Sequence, residues 1–348
     1  MGIGILGHGR FGRALGALLL EAGHGYRAWD PIAEIPAEHR VAGPRDLIDG
    51  SEVLVLAMPV PALSSVLVGL RPLLRPDHLV LDVCSVKVGP CALLEEHLGA
   101  AIPHAGTHPL FGPVSLARAE RPLRVVLCAS PRHPAAAQRT EELFRSLGCE
   151  VLRQSPEDHD RVMATTHALT FFIAKGLLAV GAGAELPFTP PSFHAIARTL
   201  ESVREDAGHL FAALQNENPF ASGAREGLLE ALSAIHRSLA EAAATGGGEQ
   251  LSIPDLGARS PALQEARDHI DVLDRELVGF LARRKELVLR AGRAKAELNL
   301  PVHDPEREAS QLQARRAWAD EVGLEAQGVE EVFRAVLRSS RSAQGSAS

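Results

Sequence analysis

Aromatic residues make up only 4% of this 348-residue chain, with a single tyrosine. Stacking platforms for single-stranded nucleic acid need more rings than that. A basic excess is missing too: Lys+Arg is 36 against Asp+Glu 43, a formal net charge of −7. Nucleic-acid binders gather positive charge on one face, so no nucleic-acid partner is expected. The four cysteines (Cys84, Cys91, Cys128, Cys149) show no CxxC spacing. They read as reduced thiols of a cytoplasmic protein and offer no metal site. The opening run Met1–Gly7 is strand-like and has no basic n-region, so no signal peptide is expected. The longest apolar stretch, Ala168–Ala184, has Lys175 in its middle and falls short of the roughly 20 uninterrupted residues a membrane span needs. A buried helix in a soluble protein is the expectation.

At roughly 150 residues per domain, the length predicts two or three domains. Residues 262–348 hold 29 charged residues in 87, whereas residues 1–261 hold 50 in 261. Gly246-Gly247-Gly248, Ile253-Pro254 and Ser260-Pro261 mark residues 246–261 as a linker, because glycine loosens the chain and proline stops helices. Over residues 1–154, short apolar runs alternate with amphipathic segments. Strands are expected at Gly2–Leu6, Tyr26–Trp29, Glu52–Ala57, His78–Val83, Leu123–Cys128 and Glu150–Leu152. That alternation predicts an α/β domain with a parallel sheet covered by helices. Residues 155–245 read as helices alone, with the Ala/Gly-rich Leu169–Ala184 suited to a dimer core. Residues 262–348 read as long, charged helices.

Gly7-His8-Gly9-Arg10-Phe11-Gly12 ends the first strand and opens the first helix, a dinucleotide-binding fingerprint. Gly7 permits the tight turn, Gly9 lets backbone approach a pyrophosphate, and Gly12 allows close helix–strand packing. Free N–H groups at the helix N-terminus face that pyrophosphate. Asp30 ends the second strand 18 residues after Gly12. A carboxylate there accepts the ribose hydroxyls and repels a 2′-phosphate, so NAD is favoured over NADP.

The fourth strand ends in Asp82-Val83-Cys84-Ser85-Val86-Lys87. Ligands of doubly wound folds bind at the carboxyl ends of the strands, which puts Ser85 where nicotinamide and substrate meet. Gly106-Thr107-His108-Pro109-Leu110-Phe111-Gly112-Pro113 reads as a rigid loop presenting His108 as the proton acceptor, with a serine hydroxyl nearby to orient it.

The order of glycine loop, Asp30, Met58-Pro59, Ser85-Val86-Lys87, His108-Pro109-Leu110-Phe111-Gly112-Pro113 and His159-Asp160 resembles the prephenate and arogenate dehydrogenases, over about residues 1–245. The resemblance implies oxidation of the ring hydroxyl of prephenate with loss of carbon dioxide. Hydride would pass to NAD, which Gly7, Gly9, Arg10, Phe11, Gly12, Asp30, Met58 and Pro59 would hold. His108 would take the hydroxyl proton beside Ser85. Family members carry a second histidine where this chain has Phe171, and His167, one turn earlier, is its expected substitute. The family's carboxylate-binding arginine falls on Ser202, which makes Arg198, four residues before it, the candidate.

In the tail, Leu273, Leu277, Phe280, Leu281, Leu287 and Val288 form a stripe at helical spacing, which dimer packing alone would explain. Arg284 and Lys295 are 11 residues apart, so they differ by only about 20° around a helix. Ser340 and Gln344 are one turn apart. The tail is similar to the all-helical chorismate mutases from Leu263 to Gln344, with Arg267, Arg284, Lys295, Asp304, Arg307, Glu308, Ser340 and Gln344 at that family's polar positions. The resemblance implies rearrangement of chorismate to prephenate. Arginines would clamp the carboxylates, Lys295 and Gln344 would donate to the ether oxygen, and Glu308 would hold the ring hydroxyl. Arg267 precedes Arg284 by 17 residues, a net rotation of about 260°. One straight helix cannot aim both at one groove, so a homodimer sharing the site is expected. A bifunctional enzyme of tyrosine biosynthesis follows. The alternative is an arogenate-preferring dehydrogenase whose tail serves only dimerisation or tyrosine regulation.

Overall fold

The computed structural model describes residues 2–345 except 118–121, 183–187, 191–192, 206–207, 246–261, 299 and 302. The expected linker therefore lies outside the described residues. Two compact units are present, Met1–Leu116 with Pro122–Gln250, and Ala117–Arg121 with Leu251–Ser348.

The first unit contains strands β1 (Ile3–Leu6), β2 (Tyr26–Trp29), β3 (Val53–Leu56), β4 (Leu79–Asp82), β5 (His104–Pro109), β6 (Leu123–Ala129) and β7 (Cys149–Arg153). They form one sheet in the order β2-β1-β3-β4-β5-β6-β7. Helices α1 (Arg10–Glu21), α2 (Pro44–Asp49), α3 (Val60–Leu70), α4 (Val88–Leu98), α5 (Pro113–Ala117) and α6 (Pro134–Ser146) lie between the strands in sequence. Strand residues alternate between two cores. Ile3, Ile5, Val53, Val55, Leu79 and Leu81 pack with Leu15 and Leu19 of α1 and Phe144 of α6. Leu6, Leu54, Leu56 and Val80 pack with Leu63 and Leu67 of α3 and Leu94 of α4. With both faces covered, a strand reads as a nearly continuous apolar run, which is why β1, β3 and β4 were legible.

Two expectations need correction. His108 does not sit on a rigid loop but on β5, whose six residues are all buried. His-Ala-Gly-Thr-His-Pro has little β-propensity, and it is a strand because β4 and β6 offer it ladders on both sides. The sheet is also not wholly parallel, since β5 and β6 run antiparallel. Gly106 in β5 marks a close approach: a Cβ there would lie 2.5 Å from Cys91 Sγ on α4.

Beyond β7 the unit is helical: α7 (Pro156–Met163), a π-helical turn Ala164–Ala168, α8 (Leu169–Ala179), α9 (Phe193–Glu205), α10 (Gly208–Ala212), a second π-helical turn Ala213–Glu217, and α11 (Ala221–Thr245). The buried helix expected over Ala168–Ala184 ends instead at Ala179, with Gly181 at φ 86° just past it and residues 183–184 outside the described residues. Neither is it buried within one chain: Ile173 is 43% exposed and Val180 80%. Pro156–Ala179 is long and apolar enough, by length and composition, to cross a membrane, with mean hydropathy 1.4 over its best window.

The second unit is α12 (Ala262–Glu297), α13 (Pro305–Glu321) and α14 (Ala326–Gly345). Arg267 and Arg284 lie on the one 36-residue helix α12. Its stripe Ile270, Leu273, Leu277, Phe280 and Leu281 is exposed in the single chain.

Candidate active sites

Gly7 adopts φ 101°, and a Cβ on it would meet Ala57 O at 2.3 Å. A Cβ on Gly12 would meet Gly7 O at 2.1 Å, whereas one on Gly9 would meet nothing within 4 Å. Packing demands the two outer glycines, and the middle one leaves open space above the turn. Arg10 and Phe11 begin α1, and the Phe11 ring lies 6.3 Å from Phe111, three residues past His108. Asp30, just past β2, accepts the backbone N–H groups of His8 (2.6 Å), Ile32 (2.8 Å) and Ala33 (2.7 Å). Burial works to raise its pKa, but those N–H groups outweigh it and hold the carboxyl below its usual range. Met58 and Pro59 follow β3, and Pro59 caps α3. An open glycine turn beside an ionised carboxylate fits a dinucleotide.

At the β4–β5 edge a relay stands in place of the expected serine–histidine pair. His108 Nδ1 is 2.8 Å from His159 Nε2, and His159 Nδ1 is 2.7 Å from Asp160 Oδ1. Asp160 also accepts the backbone N–H of Lys87 (2.7 Å) and Val88 (2.8 Å) at the start of α4. The carboxylate can only accept, so His159 carries its proton on Nδ1 and presents a bare Nε2. His108 must then donate from Nδ1, which leaves its own Nε2 as a free base. Burial, followed by the neighbouring His159, Lys87 and His167, holds the His108 pKa well below the ordinary histidine value. The imidazole is thus neutral and able to take a proton.

Ser85 is half-buried past β4, but the hydrogen-bond partner of His108 is His159. In the sequence His159-Asp160 is only part of a family pattern, with no role for either residue. The two sit in α7, and only the fold brings them to β5. His167 lies in the π-helical turn, its ring 4.9 Å from Phe171. Arg198 is on α9, and its side chain lies outside the described residues.

Lys87 joins these elements from below. It is fully buried, pairs with Asp82 of β4, and donates from Nζ to the carbonyl of Thr107 (2.7 Å), the residue before His108. Burial opposes the charge, yet Asp82 beside it holds the ammonium above its ordinary pKa. Lys87→Met would leave Asp82 buried and unpaired, a change expected to cost about 3–5 kcal/mol. Thermal unfolding should register this as a drop in Tm. It would also remove a positive charge that disfavours protonated His108, so the acid limb of any His108-dependent rate should move to higher pH.

In the second unit, Arg284 on α12 donates to Ser340 Oγ on α14. Burial, then the charge of Arg315, lowers the Arg284 pKa. Gln344 Nε2 donates to Val288 O (2.8 Å) and packs over Gly292. Lys295 is half-buried on the same helix as Arg284. The Asp304 carboxylate caps α13 by accepting the N–H of Arg307 (3.0 Å), whose side chain is exposed. Glu308 is likewise engaged, by Arg341 at 2.6 and 2.7 Å. The Arg341 hydrogen bond outweighs burial and holds the Glu308 carboxyl below its usual range. The Arg267 side chain lies outside the described residues.

Comparison with known families matches these two regions separately. The family model for the prephenate dehydrogenase nucleotide-binding domain matches residues 33–151, and that for chorismate mutase type II matches residues 266–345. The T-protein of Haemophilus influenzae is 46% identical over 79 residues, 23% of this chain and 21% of that protein. Arogenate dehydrogenase 2, chloroplastic, of Arabidopsis thaliana is 28% identical over 250 residues, covering 68% of this chain and 69% of that protein. A solved prephenate dehydrogenase from A. aeolicus, in complex with hydroxyphenyl propionate and NAD+, shares the fold at TM-score 0.56 and 18% identity, over 80% of this chain and 98% of that one. The chain spans about a fifth of the length of the first curated relatives it matches.

Proposed function

From a chain that joins the prephenate dehydrogenase nucleotide-binding family to the type II chorismate mutase family, we propose a bifunctional enzyme of tyrosine biosynthesis. Its tail (262–348) rearranges chorismate to prephenate. Its first 245 residues, a nucleotide-binding domain (1–154) and a helical domain (155–245), oxidatively decarboxylate prephenate to 4-hydroxyphenylpyruvate. The observation that carries the second step is the His108–His159–Asp160 relay, in the same domain as an open glycine turn. We further assign a homodimer, supported by the exposed apolar stripe of α12, and a cytoplasmic location.

Gly7, Gly9 and Gly12 with the start of α1 would hold the pyrophosphate, and Asp30 the adenosine ribose. Bound NAD supplies a hydride acceptor for C4 of the prephenate ring. His108 Nε2 would take the hydroxyl proton as C4 gives up its hydride. The ring carboxylate would depart as carbon dioxide with its bonding pair completing the aromatic ring, and the ring oxygen would then take a proton back to give the phenol. Asp160, acting across His159, stabilises the imidazolium that forms. Ser85, His167 and Arg198 are assigned to substrate contact. In the tail, Arg284 and Arg267 clamp the carboxylates in a near-attack conformation. Lys295 and Gln344 donate to the ether oxygen as charge develops there, an interaction of about 2.7–4 kcal/mol per donor in comparable sites. Gln344 must leave the Val288 carbonyl, and Glu308 must share its carboxylate with Arg341, for these roles.

Supplying the whole protein with chorismate and NAD tests the proposal. Loss of chorismate with equimolar NADH and 4-hydroxyphenylpyruvate is expected. Oxidation of arogenate but not prephenate would favour the alternative that the Arabidopsis relative suggests. Asp30 should exclude NADP by charge, and Asp30→Ser should weaken NAD and narrow the gap. Equal rates with both cofactors in the unaltered enzyme would refute that.

A further inference from the structure

We propose that Tyr26 and His8 form a positioning device for the cofactor-specificity carboxylate, through which the only tyrosine in the chain governs discrimination between NAD and NADP. The inference rests on the NAD reading above and assigns residues that the glycine fingerprint leaves open.

His8 occupies the first variable position of Gly7-His8-Gly9. A side chain there could point outward, yet His8 is 1% exposed and turned into the fold. Its Nδ1 lies 3.4 Å from the Glu34 carbonyl and its Nε2 lies 3.3 Å from the Tyr26 hydroxyl. A carbonyl only accepts, so the proton is on Nδ1, and the Tyr26 hydroxyl donates to the bare Nε2. Burial, the largest influence, depresses the His8 pKa and favours this neutral form. Both ring nitrogens are thereby satisfied, and the ring cannot turn without leaving a buried polar group unpaired.

Tyr26 is held as firmly. Its ring stacks on His39 at 4.2 Å, and its carbonyl accepts from His39 Nδ1 at 3.3 Å. Residues 39–41 lie parallel to β2, bridged at Ala28 and Arg40, with Ala28 N–H donating to His39 O at 2.7 Å. On the other side α1 makes room only because residue 16 is glycine. A Cβ there would lie 2.5 Å from Tyr26 Cζ and 2.7 Å from its hydroxyl.

The product of this arrangement is the backbone of His8. With the side chain anchored, its N–H donates to Asp30 Oδ2 at 2.6 Å. Ile32 and Ala33 fix the other oxygen. Asp30 is therefore held in one orientation and kept ionised, which is what repels a 2′-phosphate.

Binding measured by nicotinamide fluorescence, with NADH and NADPH titrated into the full-length protein, tests this. Tyr26→Phe removes one hydroxyl and keeps the stacked ring. It should raise the Kd for NADH about 3–10-fold, as loss of one buried hydrogen bond does, and reduce the NADH/NADPH preference. Gly16→Ala improves helix propensity by up to about 1 kcal/mol, yet should shift binding in the same direction by displacing the ring. In an Asp30→Ser background, Tyr26→Phe should no longer change the preference, because the carboxylate it acts through is gone. Unchanged binding and preference in Tyr26→Phe would overturn the proposal. An equal effect with and without Asp30 would overturn it too, since that result means packing alone. If the unaltered protein binds neither nucleotide, the NAD reading falls and this inference with it.

Discussion

His108→Ala is expected to lower NADH formation from prephenate by about 10²–10⁴-fold while chorismate is consumed at the unaltered rate. The loss follows from the proton path: with the His108 ring gone, the bare nitrogen left in the relay is His159 Nε2, one ring farther back than the base the hydroxyl needs. Asp160→Asn should be nearly as damaging without touching substrate. Three N–H groups share its two oxygens, Lys87 and His159 on Oδ1 and Val88 on Oδ2. An amide therefore turns an N–H toward at least one of them and weakens the hold on His159, and through it on the His108 tautomer. The pH profile carries a matching signature. His108 works only when neutral and its pKa is depressed. NADH formation should therefore stay constant as pH falls through about 6.5, the ordinary histidine value, and decline only below it. Steady-state rates across pH check this, and an acid limb centred above 6.5 would count against His108 as the base. Loss of both activities in a folded His108→Ala protein would sink the two-site reading.

Arg284→Ala should do the converse, abolishing chorismate turnover and leaving prephenate oxidation intact. Arg267→Ala should match it, although the two arginines are separated by about 260° of rotation on α12. A two-fold pairing of the long helices resolves the conflict, because each subunit can lend Arg267 to the pocket of its partner. The exposed face Leu273, Leu277, Phe280 and Leu281 is apolar surface that such pairing would cover. The two inactive proteins, unfolded together and refolded as a mixture, should recover chorismate turnover, since one pocket of each mixed dimer holds both arginines. Mixed dimers without recovery would place the whole site in one chain.

Local chemistry decided much of this before any folding. Gly7, Gly9, Gly12 and Asp30 were legible because a tight turn, an open approach and a terminal carboxylate are demands on residue type at fixed spacing. Strands β1, β3 and β4 were legible because a sheet covered on both faces needs unbroken apolar runs. Arg284, Lys295, Ser340 and Gln344 could be placed on helix faces by arithmetic, since a helix converts sequence distance into angle. Tertiary structure decided what depends on partners distant in sequence. β5 has a composition no strand rule selects, and it exists because two neighbours supply its ladders. The partner of His108 is 51 residues away rather than the nearer Ser85, and Asp304 became a helix cap because its backbone turned there. The fingerprint spacing assigns His8 no role, and only the fold sets it against Tyr26. Spacing along the chain determines which groups share an element. Only the packing of elements determines which groups share a proton.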